Sequence, residues 1–447
     1  MADFVPHTEQ EIAAMLDFVG LSSLDELFAV VPPALRLAGG LDMAPGLSEA
    51  DVAVELDALA ARNRVGADLV CFAGGGAYDH EVPAAVRRVA FRSEFVTAYT
   101  PYQPEVAQGV LQALFEYQTM VARLSGLAVA NASLYDGATA LVEAANLAAA
   151  ATGRSTLWIS RGVNPAWREV VHTLAAGTGH QSVPLPLVAG VTVLAPPMID
   201  GCDAGPPAAI VVQHPNYLGC LEDLAAARRL ADEVGALLVV AFDPVAAGLL
   251  ASPGSFGADV VVGEGQPFGT PLSFGGPYLG LFACRLDHVR RLPGRLVGET
   301  LDVAGRRAYV TTLRAREQDI RREKASSNIC TNQTLIAVCC AIQLAWLGTA
   351  GLRELALRCA RATRYTREAL LAVDAVEPLV SAPVLREFAV RTPVPAAVVV
   401  DRMADEGFLA GIALDEEYGG GLLVAATERR TRAEIDAYAA AFAKVTR

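Results

Sequence analysis

Lysine is almost absent from this chain. Only Lys324 and Lys444 among its 36 basic residues are lysines, and the others are arginines. A covalent imine to a carbonyl cofactor needs a lysine amine, so such a bond could form only at one of these two positions. Lys444 falls in the last turn of the predicted C-terminal helix, and Lys324 falls in a basic polar segment. Neither follows a buried strand by one loop, which argues against a covalent cofactor site in this chain.

Clusters that would hold a metal or form disulfides are also missing. The eight cysteines are scattered with no Cys-x-x-Cys pair, and the six histidines do not cluster. This pattern predicts reduced thiols, no disulfides and no metal site. The formal net charge of −13 disfavours nucleic acid as a partner. Because the N-terminus lacks a basic region followed by an apolar core, we expect a cytoplasmic protein.

The most apolar run is too short for a convincing membrane span. This run, Thr334–Leu352, contains Gln343 and two glycines near its end. Its strongly apolar part, Leu335–Leu347, falls short of the roughly 20 residues that a bilayer requires. We therefore predict a buried helix here and no membrane partner.

Three regions differ in their hydrophobic pattern. Residues 1–65 indicate a helical N-terminal arm, with helix starts predicted at Thr8, Ser23 and Ser48. Residues 66–370 alternate buried strands with helices, which predicts a large, mostly parallel sheet covered on both faces. Residues 371–447 indicate a small α+β domain. The strands predicted for the last two regions are Thr156–Ser160, Ala208–Val212, Leu237–Phe242, Ala258–Val262, Tyr278–Cys284, Val384–Val390, Phe408–Ile412 and Leu422–Thr427.

Two segments suit contact with another chain. The helical arm either wraps a partner subunit or covers the chain's own core, and the sequence does not decide between these roles. The stretch Tyr99–Gln108 is irregular and rich in proline and aromatic residues. Such stretches are uncommon unless they bind something or join subunits.

A helical arm, a large α/β domain and a small α+β domain together are typical of the type I fold of pyridoxal-phosphate enzymes, an analogy that the site has to support. Such a site needs an acid for the pyridine nitrogen, a helix N-terminus for the phosphate, and a lysine. Asp243 follows the strand Leu237–Phe242 and suits the acid, although it equally suits a turn cap before Pro244.

The other two parts of the site do not match. Thr139 offers a phosphate-binding hydroxyl, but Asp136 is well placed as the cap of the same helix and would repel a phosphate. The glycine-rich loop Gly263–Pro277 carries Gln266 where the lysine is expected. An amide cannot form an imine. The sequence therefore indicates a cofactor fold without the cofactor bond, with Asp243 and Thr139 as vestigial positions.

Several long runs resemble the glycine cleavage system P-protein. The resemblance spans nearly the whole chain and is closest to subunit 1 of the form that is split into two chains. The runs that carry it are Arg92–Glu105 (RSEFVTAYTPYQPE), Phe115–Met120 (FEYQTM), Tyr135–Ala140 (YDGATA), Gly263–Pro277 and Arg316–Thr331 (REQDIRREKASSNICT).

The resemblance implies a role in glycine decarboxylation. In this family CO2 leaves glycine, and the aminomethyl group passes to the lipoyl arm of H-protein, with pyridoxal phosphate as electron sink. In split members, a His-Lys pair of subunit 2 carries the cofactor, and the matching positions here are Gly265 and Gln266. The resemblance therefore implies a glycine dehydrogenase (aminomethyl-transferring) that is complete only with subunit 2, as a heterodimer doubled to α2β2.

The residues of this chain that take part in such a complex remain open. Tyr99, Tyr102 and Gln103 are candidates for reaching the partner's active site, or they pack the interface. Four arginines, Arg314, Arg316, Arg321 and Arg322, either attract an acidic lipoyl carrier or form ion pairs within the chain. Two other functions also stay open, a stand-alone pyridoxal-phosphate enzyme that uses Lys324 or Lys444, and a purely structural or regulatory subunit.

Overall fold

A computed structural model describes residues 6–37, 41–64, 68–96, 100–199, 202–203 and 205–447. Residues 1–64 form one compact unit and residues 65–447 form another. The helices of the described residues are α1 (Glu9–Phe18), α2 (Glu49–Ala60), α3 (Ala84–Ala90), α4 (Ser93–Val96), α5 (Gln108–Ser125), α6 (Gly137–Thr152), α7 (Pro165–Thr178), α8 (Leu224–Val234), α9 (Gln318–Arg321), α10 (Thr334–Leu371), α11 (Ala396–Asp405) and α12 (Arg432–Val445).

The strands are mostly short, and several belong to two-stranded ribbons. They are β1 (Val70–Cys71), β2 (Val129–Ala130), β3 (Thr156–Ser160), β4 (Gln181–Leu185), β5 (Leu187–Val188), β6 (Val191–Thr192), β7 (Met198–Ile199), β8 (Cys202–Asp203), β9 (Ala209–His214), β10 (Leu237–Phe242), β11 (Val260–Glu264), β12 (Gly280–Cys284), β13 (Val297–Leu301), β14 (Arg307–Thr311), β15 (Glu377–Pro378), β16 (Glu387–Arg391), β17 (Phe408–Leu409), β18 (Ile412–Ala413) and β19 (Leu422–Ala425).

The first unit contains the helices predicted for the N-terminal arm. Thr8 caps α1 in a capping box with Glu11, and Ser48 caps α2, as the sequence predicts. The prediction at Ser23 is only half right. A 3-10 helix, Leu24–Phe28, starts there without a side-chain cap, and the Glu26 carboxylate accepts bonds from the N–H and hydroxyl of Ser22.

A seven-stranded sheet forms the centre of the second unit. Its order is β2-β12-β11-β10-β9-β3-β4, in which β4, β3, β9, β10 and β11 are parallel and β12 is antiparallel to both of its neighbours, β11 and β2. Hydrophobic clusters cover both faces, one with α5, α8 and α10 and the other with α6 and α7. The predicted mostly parallel α/β sheet is confirmed.

The strand predicted at Ala258–Val262 lies two residues later, at Val260–Glu264. Glu264 pairs with Gly280 of the antiparallel neighbour, so the ladder continues through a charged residue that the hydrophobic pattern assigned to the loop. This shift matters, because it places the carboxylate of Glu264 inside the sheet.

The apolar run of the sequence forms the first half of α10. Eight of its residues are buried, which confirms the predicted buried helix: Ala337, Val338, Cys339, Cys340, Ala341, Gln343, Leu344 and Leu352. Gly348, with φ 58° and ψ −173°, interrupts the helical backbone. By length and composition alone α10 could cross a membrane, a test that core helices of soluble proteins also pass.

A four-stranded antiparallel sheet, β15-β16-β19-β18, belongs to the C-terminal part of the same unit. The strand predicted at Phe408–Ile412 is wrong as a single element. Phe408–Leu409 pairs with β1 and Ile412–Ala413 pairs with β19, because Gly411, at φ 143°, turns the chain between them. The start of β16 places Arg386 and Glu387 against the large sheet.

Candidate functional site

The candidate site is a small cavity at the carboxyl edge of the large sheet. Parallel sheets place ligands at this edge, where the loops after neighbouring strands diverge. The cavity has a volume of about 40 Å³, far below the roughly 300 Å³ at which small-molecule pockets begin. Its lining includes Tyr78, Trp167, Gln213, Asp243, Glu264, Arg386 and Glu387.

Asp243 already has a cationic partner from the chain itself. Its Oδ2 lies 2.9 Å from Nη2 of Arg386, and its Oδ1 accepts a bond of 2.9 Å from the backbone N–H of Val245. The turn-cap role considered for Asp243 is therefore present. The carboxylate that would face a pyridinium faces a guanidinium.

Arg386 is fixed on several sides. Its guanidinium carbon lies 3.5 Å from the ring centroid of Tyr78, a cation–π contact, and Nη1 lies 2.8 Å from Nε2 of His80. Nδ1 of His80 lies 2.7 Å from the carboxylate of Glu428. His80, Cys359 and Glu428 lie close enough together to suit a metal ion. Both imidazole nitrogens already have protein partners, however, and the Cys359 thiol bonds to Glu428, so the three residues form a hydrogen-bonded group.

Gln266 is fully buried and uses both ends of its amide. Its Oε1 accepts a bond of 3.0 Å from the N–H of Tyr78, and its Nε2 donates to the carbonyls of Tyr78 and Thr270 at 3.0 and 2.8 Å. The side chain joins the glycine-rich loop to the segment that carries Tyr78. Its role here is structural, and the amide has no nucleophilic nitrogen to offer.

The N-terminus of α6 carries protein carboxylates where a phosphate would lie. Asp136 caps the helix, accepting a bond of 2.7 Å from the N–H of Thr139, and Thr139 completes a capping box. Oε2 of Glu264 accepts a bond of 3.0 Å from the N–H of Gly137. The ring of Trp167 packs over Gly137 so closely that a Cβ there would lie 2.2 Å from it. The anion-binding end of the helix is therefore filled.

Two of the buried carboxyls hold their protons unusually tightly. Burial raises the pKa of Glu264 to about 8, against the opposing effect of backbone N–H bonds from Leu279, Gly137 and Gln266. Burial likewise raises the pKa of Glu387 to about 7. At neutral pH the cavity is therefore only partly ionised.

Pyridoxal phosphate does not fit this cavity. The volume is too small, Asp243 is paired with Arg386, and carboxylates occupy the helix end. Neither lysine lines it, since Lys444 bonds to Glu406 at 2.6 Å and Lys324 is exposed on a polar segment. No chemical step through the cofactor follows from this site.

The predicted partner-facing residues lie elsewhere. Tyr99 falls outside the described residues. Tyr102 is 45% exposed and Gln103 is exposed, and neither lines the Asp243 cavity. The hydroxyl of Tyr102 accepts a bond of 3.1 Å from Nη2 of Arg295.

The four arginines that were grouped by sequence do not share one environment. Arg316 is buried, with its Nη1 bonded to the carbonyl of Leu292, which argues against the first of its two open roles, attraction of an acidic carrier. Arg314 forms an ion pair with Asp319 at 2.8 Å, as the alternative prediction has it. Arg321 and Arg322 are exposed.

Sequence reasoning missed the residues that fill the cavity. Arg386 and Glu387 belong to the small sheet, and no local pattern links them to Asp243. Tyr78 follows three consecutive glycines, Gly74–Gly76, but nothing in the sequence indicates that it contacts Arg386. Glu264 gave a usable signal, because a lone acid beside a buried strand and before a glycine-rich loop needs a partner.

Comparison with known proteins agrees with the resemblance. A family model described as glycine cleavage system P-protein matches residues 2–442. A probable glycine dehydrogenase (decarboxylating) subunit 1 from Prosthecochloris aestuarii is 46% identical over 439 residues, covering 97% of this chain and 98% of that protein.

Solved structures give the same result for the fold. A crystal structure of glycine decarboxylase (P-protein) of the glycine cleavage system, in inhibitor-bound form, superposes with a TM-score of 0.90 at 46% identity, over 99% of this chain and 100% of the other. A sphingosine-1-phosphate lyase from Burkholderia pseudomallei, 17% identical, shares the fold with a TM-score of 0.60 over 91% of this chain and 93% of its own. The predicted type I fold of pyridoxal-phosphate enzymes is confirmed. Since the family model and the relatives both cover nearly its whole length, the chain belongs to the glycine cleavage system P-protein family.

Proposed function

We propose that this chain is the subunit of a two-chain glycine decarboxylase that does not carry the cofactor. The observation that supports this most directly is the filled cavity, in which Arg386 takes the place of a cofactor cation and Gln266 stands where a lysine is required. The relatives named subunit 1 match over nearly their whole length. A complete catalytic site then needs a second chain.

In this proposal the second chain, subunit 2, binds pyridoxal phosphate through its own lysine. The complex, an α2β2 heterotetramer in the cytoplasm, decarboxylates glycine. It releases CO2 and passes the aminomethyl group to the lipoyl arm of H-protein. The exposed Arg321 and Arg322 are candidates for attracting an acidic carrier surface.

Tyr99, Tyr102 and Gln103 are proposed to border the active site of subunit 2. The exposure of Tyr102 and Gln103 supports this, because side chains that border another chain's site have to be presented at the surface. Alanine replacement of all three should lower the decarboxylation rate of the complex and leave its assembly intact. An unchanged rate in the assembled complex would favour a purely structural subunit.

Reconstitution tests the proposal as a whole. Glycine–bicarbonate exchange should be absent with this chain alone and appear when purified subunit 2 and lipoylated H-protein are added. Borohydride should fix the cofactor to subunit 2 and leave Lys324 and Lys444 unmodified. Exchange by this chain alone, with cofactor fixed on either lysine, would instead show a stand-alone enzyme.

A further inference from the structure

Three tyrosine hydroxyls of the described residues accept a hydrogen bond from an arginine. The pairs are Arg295–Tyr102 at 3.1 Å, Arg432–Tyr365 at 3.1 Å and Arg168–Tyr418 at 2.9 Å. A phenol has one proton to give and can also accept bonds. When its oxygen faces a guanidinium, its proton has to point elsewhere. The destination of that proton separates the three pairs.

In two of the pairs the chain itself receives the proton. Tyr365 donates to Oδ1 of Asp436 at 2.6 Å. Tyr418 donates to the carbonyl of Arg161 at 3.1 Å. Both hydroxyls are satisfied internally, so they have nothing to offer a ligand.

Tyr102 differs from the other two. Among the residues that the structure describes, its hydroxyl has Arg295 as a donor and no acceptor. The side chain is 45% exposed, so its O–H is accessible to a molecule bound at this surface. A hydroxyl that accepts from a cation is a stronger donor than a free one, because hydrogen bonds in a chain polarise one another.

Arg295 holds this hydroxyl in a fixed position. Arg295 as a residue is 4% exposed, and its guanidinium bonds through Nη1 to Oδ1 of Asn332 at 3.0 Å and through Nη2 to the carbonyl of Cys330 at 2.8 Å. Its carbon lies 5.2 Å from the centroid of the Tyr102 ring. A buried, multiply bonded cation under an exposed phenol positions that phenol for recognition.

The surroundings of Tyr102 favour an anion as the missing acceptor. Arg314 lies 5.3 Å from the same ring, although Asp319 pairs with it. The guanidinium groups of Arg295 and Arg314 thus both lie against the Tyr102 ring, which places two positive charges beside this phenol.

We infer that Tyr102, positioned by Arg295, donates a hydrogen bond to an oxyanion in the site that this chain completes with subunit 2. The oxyanion is a carboxylate or a phosphate monoester, the two groups whose oxygens suit a phenol next to arginines. This inference rests on the proposed function and adds to it. It names the atom that is presented, the residue that orients it and the chemical class of its acceptor.

The test replaces Tyr102 by phenylalanine in the reconstituted complex. The ring and its contacts with arginine remain, and only the hydroxyl is lost. If the acceptor is the glycine carboxylate, KM for glycine should rise roughly 10- to 100-fold, with a smaller change in kcat. If the acceptor is the cofactor phosphate, the dissociation constant of pyridoxal phosphate, measured by fluorescence titration, should rise by that factor while KM changes little.

Two further variants control for a structural effect. Tyr365→Phe removes a hydroxyl of the same kind whose proton is used inside the chain, and both constants should stay within twofold of wild type. Arg295→Lys keeps the positive charge but loses the planar guanidinium that bonds Tyr102 and its neighbours together. It should therefore raise the same constant, KM or the dissociation constant, that Tyr102→Phe raises.

The outcomes separate the two claims. If the wild-type complex is active and Tyr102→Phe leaves both constants unchanged, the inference about Tyr102 is wrong and the proposed function stands. Weaker assembly, measured by sedimentation, with both constants unchanged would place the acceptor on a side chain of subunit 2 and also overturn the inference. A wild-type complex without glycine–bicarbonate exchange would defeat the proposed function and this inference together.

Discussion

Nη2 of Arg386 lies 2.9 Å from Oδ2 of Asp243, and the two side chains are only 5% and 13% exposed. Arg386 directly precedes a strand of the small sheet, and Asp243 directly follows a strand of the large sheet. The ion pair therefore links the two sheets at the carboxyl edge of the large sheet, and both groups serve there as a structural contact.

Replacing Arg386 by glutamine should destabilise the chain strongly. The substitution leaves Asp243 buried without its counter-ion, and breaking a buried pair in this way costs about 3 to 5 kcal/mol. The free energy of unfolding, measured by urea titration, should fall by that amount. The matched control is Arg358→Gln, whose ion pair with Glu354 is exposed. It should cost less than ~1 kcal/mol, and equal losses in the two variants would contradict a structural role for the Arg386 pair.

A Gln266→Lys variant should not acquire the cofactor bond. The buried amide makes three hydrogen bonds that an ammonium cannot reproduce, and burying the new charge adds to that loss. We expect a free energy of unfolding lower by about 3 kcal/mol, and no pyridoxal phosphate fixed at position 266 by borohydride. Gln112→Lys, on an exposed position of α5, should change stability by less than about 0.5 kcal/mol. Cofactor fixed at position 266 would show that the cavity still accepts it.

The sequence was sufficient to predict the strands and helices of the large domain, because the spacing of apolar residues along the chain is a local property. The strands Thr156–Ser160 and Leu237–Phe242 begin and end at the predicted residues, and the predicted C-terminal helix is present as Arg432–Val445. Asp136 caps its helix as predicted, since an N-cap depends on four neighbouring residues. Errors occurred where pairing with a distant strand decided the boundary, as at Glu264.

The filling of the cavity could not be predicted in the same way. The absence of a suitable lysine excluded a covalent bond to the cofactor, and Gln266 showed which position of the loop lacks that lysine. The groups that line the cavity come from three separate segments, represented by Tyr78, Glu264 and Arg386. Their meeting is a consequence of tertiary packing, on which composition and spacing carry no information.

The pKa of Glu387 predicts a stability that falls as pH rises. Burial raises this pKa from 4.5 to about 7. Between about pH 4.5 and pH 7 the unfolded chain releases the proton and the folded chain keeps it, so the free energy of unfolding decreases through this window. Glu387→Gln should make that decrease smaller, leaving the part that the raised pKa of Glu264 contributes, and should raise the free energy of unfolding at pH 8, relative to wild type, by up to ~3 kcal/mol. Urea titrations at about pH 5 and pH 8 measure it, and parallel pH profiles for the two proteins would refute it.

Glu428 is the matched control, because its pKa moves in the opposite direction. Burial would raise it, but the hydrogen bond and charge of His80 and the backbone N–H of Glu81 lower it to about 2. The stability that it contributes is present above about pH 4.5 and is lost as pH falls toward 2. Glu428→Gln should therefore flatten the acid side of the profile and leave the decrease between pH 4.5 and 7 in place.

Gly137 should tolerate no side chain, because the ring of Trp167 occupies the space. A Cβ at position 137 would lie 2.2 Å from that ring, so Gly137→Ala forces Trp167 or the start of α6 to move, at a cost of about 1 to 3 kcal/mol. Gly177→Ala is the control, since a Cβ on this exposed glycine of α7 would have no atom within 4 Å. There the substitution should stabilise the helix by about 0.5 to 1 kcal/mol, because alanine loses less backbone freedom on folding. If Gly137→Ala lowers the free energy of unfolding and Gly177→Ala raises it, with a shift of the Trp167 fluorescence only in Gly137→Ala, Trp167 covers the helix end. Stabilisation by both substitutions would show that the helix end is open.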